Sequence, residues 1–356
     1  MKHRTAALLL LLFYGLYGSP PISYGREDGA VGYLTTMVPV GGKEPVPCAV
    51  WYPAAGGKTR AVYDFGRATR TGSTFSDARP DDGHGPYPLV VYSHGYSGCS
   101  IASAYLCEAL AAAGFVVAAP DHSDDLKICS LRPEFQREAF IGFKILFSAI
   151  ELGERLAEGK YNLEDFRYRF SQIKATIDYL VAEGRDARSP FFGLIDATHI
   201  GAVGHSLGGF SVMVAAGARD VGIDFPIDAV VAMSGPGGDV FACADMRRIE
   251  VPAMLMYGTE EADKRGKGMG IQEQYRCLAG PRFLMGLVGG DHLAFSEGIF
   301  SDSSPGGRPK READARHDLI SRYVGAFFTL YLSGDDRAAG ILREKDPGLD
   351  PYYFSF

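Results

Sequence analysis

The chain has 356 residues, 46% of them hydrophobic and 22% charged, with a formal net charge of −7. This length can bury a full core in one α/β unit, and the acidic balance leaves no basic surplus to neutralise phosphates, which excludes the ordinary basis of nucleic-acid binding. The opening "MKHRTAALLLLLFYGLYG" sets a basic start before an apolar run from Ala6 to Tyr17. The run is too short to cross a bilayer comfortably and has the form of a secretory signal peptide. Ser23 and Gly25 fit the small residues expected before a cut, so cleavage is expected after Gly25, leaving 26–356 as a single domain; an uncleaved anchor is the alternative. Losing Lys2 and Arg4, the only formal charges in that segment, takes the net charge from −7 to −9.

Cys48, Cys99, Cys107, Cys129, Cys243 and Cys277 form no Cys-x-x-Cys pair of a zinc or redox site. A secreted chain, extracellular or periplasmic, oxidises its cysteines more readily than a cytosolic one. Cys99 with Cys129 and Cys243 with Cys277 are the expected pairs, from loops that can lie close together; buried free thiols are the alternative.

Two strands are expected first, "GYLTTMVPV" and "PCAVWYP", followed by a surface excursion from Gly56 to Pro86 rich in Gly, Asp, Arg and Thr. From Pro88 short apolar runs alternate with helical stretches. "PLVVYS" and "FVVAAP" flank the helical "SAYLCEALAAAG", and "IGAVG", "AVVAMS", "AMLMYG" and "RFLMGLVG" repeat the run bounded by Gly or Pro. The alternation predicts a mostly parallel central sheet with helices on both faces. A helical insertion, about 131–170, precedes the "IGAVG" strand. In "PEFQREAFIGFKILFSAIELGERLAEG", Phe135, Ala139, Phe143, Leu146 and Ile150 recur at helical spacing and share one face. That face is read either as ordinary core packing or as a lid or lipid-contacting surface.

Within "HIGAVGHSLGGF", Ser206 stands between Gly204 and Gly208. Gly-x-Ser-x-Gly is the pattern of a strand turning sharply into a helix with the serine at the apex, the nucleophile elbow. A serine nucleophile needs a base, and in this kind of sheet the order along the chain is serine, acid, histidine. Of eight histidines only His292 and His317 follow Ser206. His317 falls in a terminal helix whose buried face is marked by Leu319, Tyr323, Phe327 and Leu330, whereas His292, in "LVGGDHLAF", follows a buried strand, where strand ends deliver reactive groups. His292 is therefore the expected base. His205 should point away from the serine, and His122 and His199 come too early.

For the acid, "MLMYGTEEADKRG" offers Glu260, Glu261 and Asp263 in one loop. Its task is to accept the second ring N–H of the histidine and stabilise the imidazolium. Glu261 has the favoured offset, Asp263 is the near alternative, and Asp239 is the outsider. Oxyanion donors are expected from the N–H of Tyr96, at the end of "VVYSHGYSG", and of Leu207. "DHSDD" at 121–125 is a weak metal pattern, one histidine among loop aspartates, and this chemistry requires no cofactor or metal.

Together "YPLVVYSHGYSG", "AAAGFVVAAPDH", "GAVGHSLGG" and "GGDHLAF" resemble the secreted platelet-activating-factor acetylhydrolase and dienelactone-hydrolase-like branch of the α/β-hydrolase superfamily, with bacterial cutinases and polyester hydrolases as neighbours. The likeness runs from about Pro88 to about Phe295. It implies an α/β-hydrolase fold and a carboxylic-ester hydrolase working through an acyl-enzyme on short-acyl or lipid-like esters. Peripheral contact with lipid fits that reading, and no obligate protein partner is implied. Two departures stand out: Ser234 occupies the position where acetylhydrolases place the acid, and the nucleophile is serine where typical dienelactone hydrolases use cysteine. A polyester hydrolase, a small-peptide serine peptidase and a non-catalytic binding protein on the same fold are the competing readings. The last would typically have lost the serine or histidine, and a propeller-bearing peptidase would need more chain.

Overall fold

In the computed structural model the described residues are 29–66, 68–135, 140–235, 240–262, 270–297 and 310–356. The N-terminal strands β1 (Ala30–Val40) and β2 (Lys43–Ala54) pair antiparallel around Gly41 and Gly42, whose φ values of 40° and 74° suit glycine best. The stretch expected as a surface excursion holds a second hairpin, β3 (Arg60–Asp64) and β4 (Thr69–Phe75). This corrects the sequence reading. Its inward positions are Ala61, Tyr63, Gly72 and Thr74, small or polar residues that carry little apolar signal. Hydrogen bonds hold them: Trp51 Nε1 donates to Tyr63 Oη at 2.8 Å, and Tyr63 Oη lies 2.9 Å from Thr74 Oγ1.

Strand and helix then alternate. β5 (Tyr87–Ser93), α1 (Ala104–Ala112) and β6 (Val116–Pro120) come first. α2 (Ile141–Ala157) and α3 (Arg167–Glu183) follow, joined by a 3₁₀ turn at Leu163–Phe166. Next are β7 (Ile195–His205), α4 (Leu207–Ala215), β8 (Ala229–Met233) and α5 (Cys243–Met246). β9 (Ala253–Gly258), α6 (Thr259–Ala262), α7 (Ile271–Cys277) and β10 (Arg282–Leu287) lead to a 3₁₀ turn at His292–Phe295. α8 (Lys310–Tyr331), α9 (Ala338–Arg343) and β11 (Leu349–Ser355) end the chain.

The strands form one sheet in the order β11-β10-β9-β8-β7-β5-β6-β2-β1-β4-β3. From β6 to β10 every neighbouring pair is parallel, while β11 runs antiparallel on the β10 edge and was not foreseen. β5, β6, β8 and β9 are buried at every position, as strands covered on both faces must be. Side chains alternate between two cores: Leu89 and Val91 pack with α3 and α4, and Val90 and Tyr92 with α1 and α8. The fold class is therefore α/β with a mostly parallel sheet and helices on both faces.

The expected helix over 133–159 is shorter. α2 begins at Ile141, Phe135 lies outside it, and Ala139 lies outside the described residues. Helix continues in α3 to Glu183, past the expected limit at 170. The apolar face of α2 is not core: Phe140, Phe143 and Phe147 are 78%, 66% and 69% exposed, with Leu146 and Ile150 half-exposed beside them. Among the described residues no helix is long and apolar enough to cross a membrane. Both expected disulfides are present, Cys99–Cys129 and Cys243–Cys277, while Cys48 and Cys107 are buried thiols.

Candidate active site

Parallel strands deliver their C-terminal ends to one edge of the sheet, the edge where α/β proteins bind ligands. Ser206 follows β7 directly and caps α4, with φ 54° and ψ −121°. A non-glycine residue at positive φ is strained, and strain of this kind persists only where the surroundings over-determine it. Here they do. The Ser206 N–H donates to Met233 O at 2.9 Å, and its carbonyl accepts the Phe210 N–H at 3.1 Å. Cβ atoms at Gly204 and Gly208 would fall 2.3 Å from Gly208 O and 1.9 Å from Ser93 O, so both flanking glycines are required by close backbone approach.

His292 Nε2 lies 2.9 Å from Ser206 Oγ. On the other side of the ring, Nδ1 is 3.0 Å from Glu261 Oε2 and 2.7 Å from Ser234 Oγ, and Ser234 Oγ donates to Glu261 Oε2 at 2.5 Å. The set calls for a neutral imidazole with its proton on Nδ1, directed at the carboxylate and the Ser234 hydroxyl, leaving Nε2 to accept from Ser206. Glu261 is buried, and its other oxygen accepts the Gly258 N–H at 3.0 Å. Burial alone would raise its carboxyl; hydrogen bonding and charge from His292, together with Ser234 and Gly258, outweigh that and hold it well below its ordinary value.

The histidine loop is propped from several directions. A Cβ at Gly258 would sit 2.3 Å from Gly290 O, and the Glu260 N–H donates to the same carbonyl at 2.9 Å, which ties the turn carrying Glu261 to the loop carrying His292. His205 points away from Ser206 as expected and donates from Nε2 to His292 O at 2.8 Å. His317 supports the end of the same turn, donating from Nε2 to Ser296 O at 3.0 Å while its ring stacks on Tyr105.

Opposite Ser206, the β5 end carries His94, Gly95 and Tyr96. A Cβ at Gly95 would lie 3.2 Å from Ser206 Cβ, so the loop and the elbow are in direct apposition. Among the described residues the N–H groups of Tyr96 and Leu207 have no hydrogen-bond acceptor. Two donors without partners beside a reachable hydroxyl can receive negative charge developing on an oxygen. The Tyr96 hydroxyl reaches α2, 2.8 Å from Ser148 Oγ.

The structure thus brings Ser206, His292, Glu261, Tyr96 and Leu207 together. Asp263 and Asp239 lie outside the described residues, and Glu260 takes no part in the contact with His292. In "DHSDD" the side chains are used locally: Asp121 accepts from Lys127 at 2.6 Å, His122 Nδ1 meets Gln172 Oε1 at 3.0 Å, and Asp124 pairs with Arg169. Sequence reasoning noted Ser234 only as a missing acid, whereas it sits against both His292 and Glu261. It also missed Arg169, although the signal was there: this arginine shares a helical stripe with Phe166, Phe170 and Ile173, all buried.

An elbow serine, a histidine after the last parallel strand and a mostly parallel sheet covered on both faces are together consistent with the α/β-hydrolase fold. Residues 62–178 match the family model described as platelet-activating factor acetylhydrolase, isoform II, a member of the α/β-hydrolase superfamily. This bears out the resemblance to the acetylhydrolase-like branch. The matched stretch holds Tyr96, Asp124 and Arg169 and ends before Ser206. Among curated proteins no match was found.

Proposed function

We propose that the protein is a carboxylic-ester hydrolase in which Ser206, His292 and Glu261 act as nucleophile, base and orienting acid. The observation that carries this is the continuous hydrogen-bonded chain from Ser206 Oγ through His292 to Glu261. His292 Nε2 takes the Ser206 proton as Oγ attacks the ester carbonyl, and the N–H groups of Tyr96 and Leu207 receive the oxyanion. The imidazolium hands its proton to the leaving alcohol, giving an acyl-serine. Water, deprotonated by the same nitrogen, releases the acid and restores the enzyme. The family match, to a lipase/esterase-type hydrolase, supports an ester as substrate.

The substrate is a short-acyl ester with an apolar remainder, lipid-like in character. The exposed face of α2 supports this: the helix is held next to the site from its inner side by the Tyr96–Ser148 contact, and its outer face offers apolar surface worth about 25 cal/mol per Å² covered. The same face suits peripheral contact with lipid. The net negative charge disfavours polyanionic esters. Secretion, with residues 1–25 as signal peptide and 26–356 as one domain carrying an insertion before β7, agrees with the two disulfides.

Hydrolysis of p-nitrophenyl acetate, butyrate and palmitate by wild type, Ser206→Ala and His292→Ala tests the reading. Each variant should fold and lose several orders of magnitude in kcat, and kcat/KM should favour acetate or butyrate over palmitate. Near-normal turnover by a folded variant refutes the mechanism; preference for palmitate refutes only the substrate class.

A further inference from the structure

Arg169 is fully buried, and its guanidinium is shared between one carboxylate and two backbone carbonyls. Nε and Nη2 pair with the two oxygens of Asp124, at 3.0 and 2.5 Å, while Nη1 donates to His94 O at 2.7 Å and Nη2 to Gly95 O at 3.3 Å. Asp124 is equally committed, accepting the Ser97 N–H at 2.9 Å and the Tyr168 hydroxyl at 2.6 Å. Burial alone would raise its carboxyl, but the Arg169 charge outweighs that and keeps it ionised below its ordinary value. A desolvated ion pair is weak evidence of net stabilisation, since apolar residues of similar volume often serve as well. What this pair does specifically is grip three backbone groups of one loop, residues 94–97.

That grip has a geometric consequence at the site. The Gly95 carbonyl accepts from Arg169 Nη2, from His94 Nδ1 at 2.7 Å and from the Gly98 N–H at 3.1 Å, so the plane of the Gly95–Tyr96 peptide is fixed. In a trans peptide the N–H lies antiparallel to the C=O; the Tyr96 N–H therefore points away from these three donors, and Gly95 is the residue that abuts Ser206. We propose that the Asp124–Arg169 pair is a positioning device for the oxyanion donor, holding the loop so that the Tyr96 N–H faces the reacting oxygen before substrate arrives. A donor held in place in this way costs no reorganisation during the reaction. The inference rests on the reading of Ser206 as nucleophile.

Three variants separate the possibilities. Arg169→Lys keeps the charge opposite Asp124 but lacks the planar fork that reaches both carbonyls. The double variant Arg169→Met/Asp124→Leu removes both charges, so neither is left uncompensated. Both should fold, lower kcat on p-nitrophenyl acetate by about 10²-fold with KM within about threefold, and weaken an alkyl trifluoromethyl ketone, a tetrahedral mimic, to a similar degree. Ser206→Ala is run beside them. If it stays active, the site reading fails and the proposal with it; if it is inactive while folded clamp variants keep their kcat, only the clamp fails. A rise in KM at unchanged kcat also overturns the clamp, because the pair would then shape ground-state binding. The wild type gives a readout independent of variant folding: a phosphonate adduct on Ser206 should move the Tyr96 amide proton strongly downfield, and an unmoved resonance overturns the proposal.

Discussion

Ser206 and Ser234 end adjacent strands, both at positive φ, yet their hydroxyls have opposite tasks. One faces His292 Nε2 and is the proposed nucleophile; the other sits on the Nδ1 side between the ring and Glu261. In the proposed mechanism the carboxylate carries charge that the imidazolium needs, whereas Ser234 is an uncharged donor to that carboxylate and a fixed contact. Glu261→Gln is therefore expected to lower kcat by about three to four orders of magnitude, as when a triad acid loses its charge. Ser234→Ala should cost about tenfold, one hydrogen bond to a charged group. Steady-state hydrolysis at fixed pH distinguishes them, and a Glu261→Gln variant with ordinary turnover would put the acid elsewhere, at Asp263 or Asp239. Ser206, His292 and Glu261 were legible because each lies a fixed short distance past a glycine-bounded apolar strand. The contribution of Ser234 was not, since a serine at a strand end carries no mark of what it touches.

Among the elements, β5 to β10 were readable because a strand buried on both faces must be apolar throughout, and turn residues punctuate it. β3 and β4 escaped because their inward slots are filled by small and hydrogen-bonding residues, and β11 because most of "LDPYYFS" stays partly exposed and gains its role only by pairing with β10. For α2 the periodicity was visible but not its direction, since a sequence shows that apolar residues share a face without showing whether anything covers it. The exposure of Phe143 removes the core reading. If the face receives the apolar part of a substrate, Phe143→Ser should leave the unfolding free energy within about 0.5 kcal/mol of wild type, as for surface substitutions generally. KM for a lipid-like ester should rise by severalfold while KM for p-nitrophenyl acetate barely changes. Equal changes for both esters would remove α2 from substrate recognition.

At the scale of the whole molecule, the segment that carries His292 is tied to β4 and α1 by a largely buried charge cluster. Arg70 of β4 lies 3.0 Å from both Glu108 of α1 and Glu297, and Glu297 also accepts the Tyr105 N–H at 2.8 Å. Tyr63 packs under Arg70, and His317, kept neutral chiefly by burial, stacks on Tyr105. Two buried carboxylates thus share one partly exposed guanidinium. Burial, against the pull of Arg70 and with Glu108 adding repulsion, raises the Glu297 carboxyl to about 7. The sign of the linkage follows: between about 4.5, its value when unfolded, and about 7, the native state binds the extra proton. Unfolding free energy must therefore fall as pH rises through that window, by up to about 3 kcal/mol from this group. Glu297→Gln keeps an acceptor for Arg70 and Tyr105 but cannot ionise. Urea unfolding at pH 5 and pH 8 should show a smaller loss of stability between the two for the variant than for wild type, with the variant the more stable at pH 8. An unchanged difference would mean that Glu297 is already ionised at pH 5, with Arg70 outweighing the burial. A loss of stability between pH 5 and pH 8 would then have to come from another group.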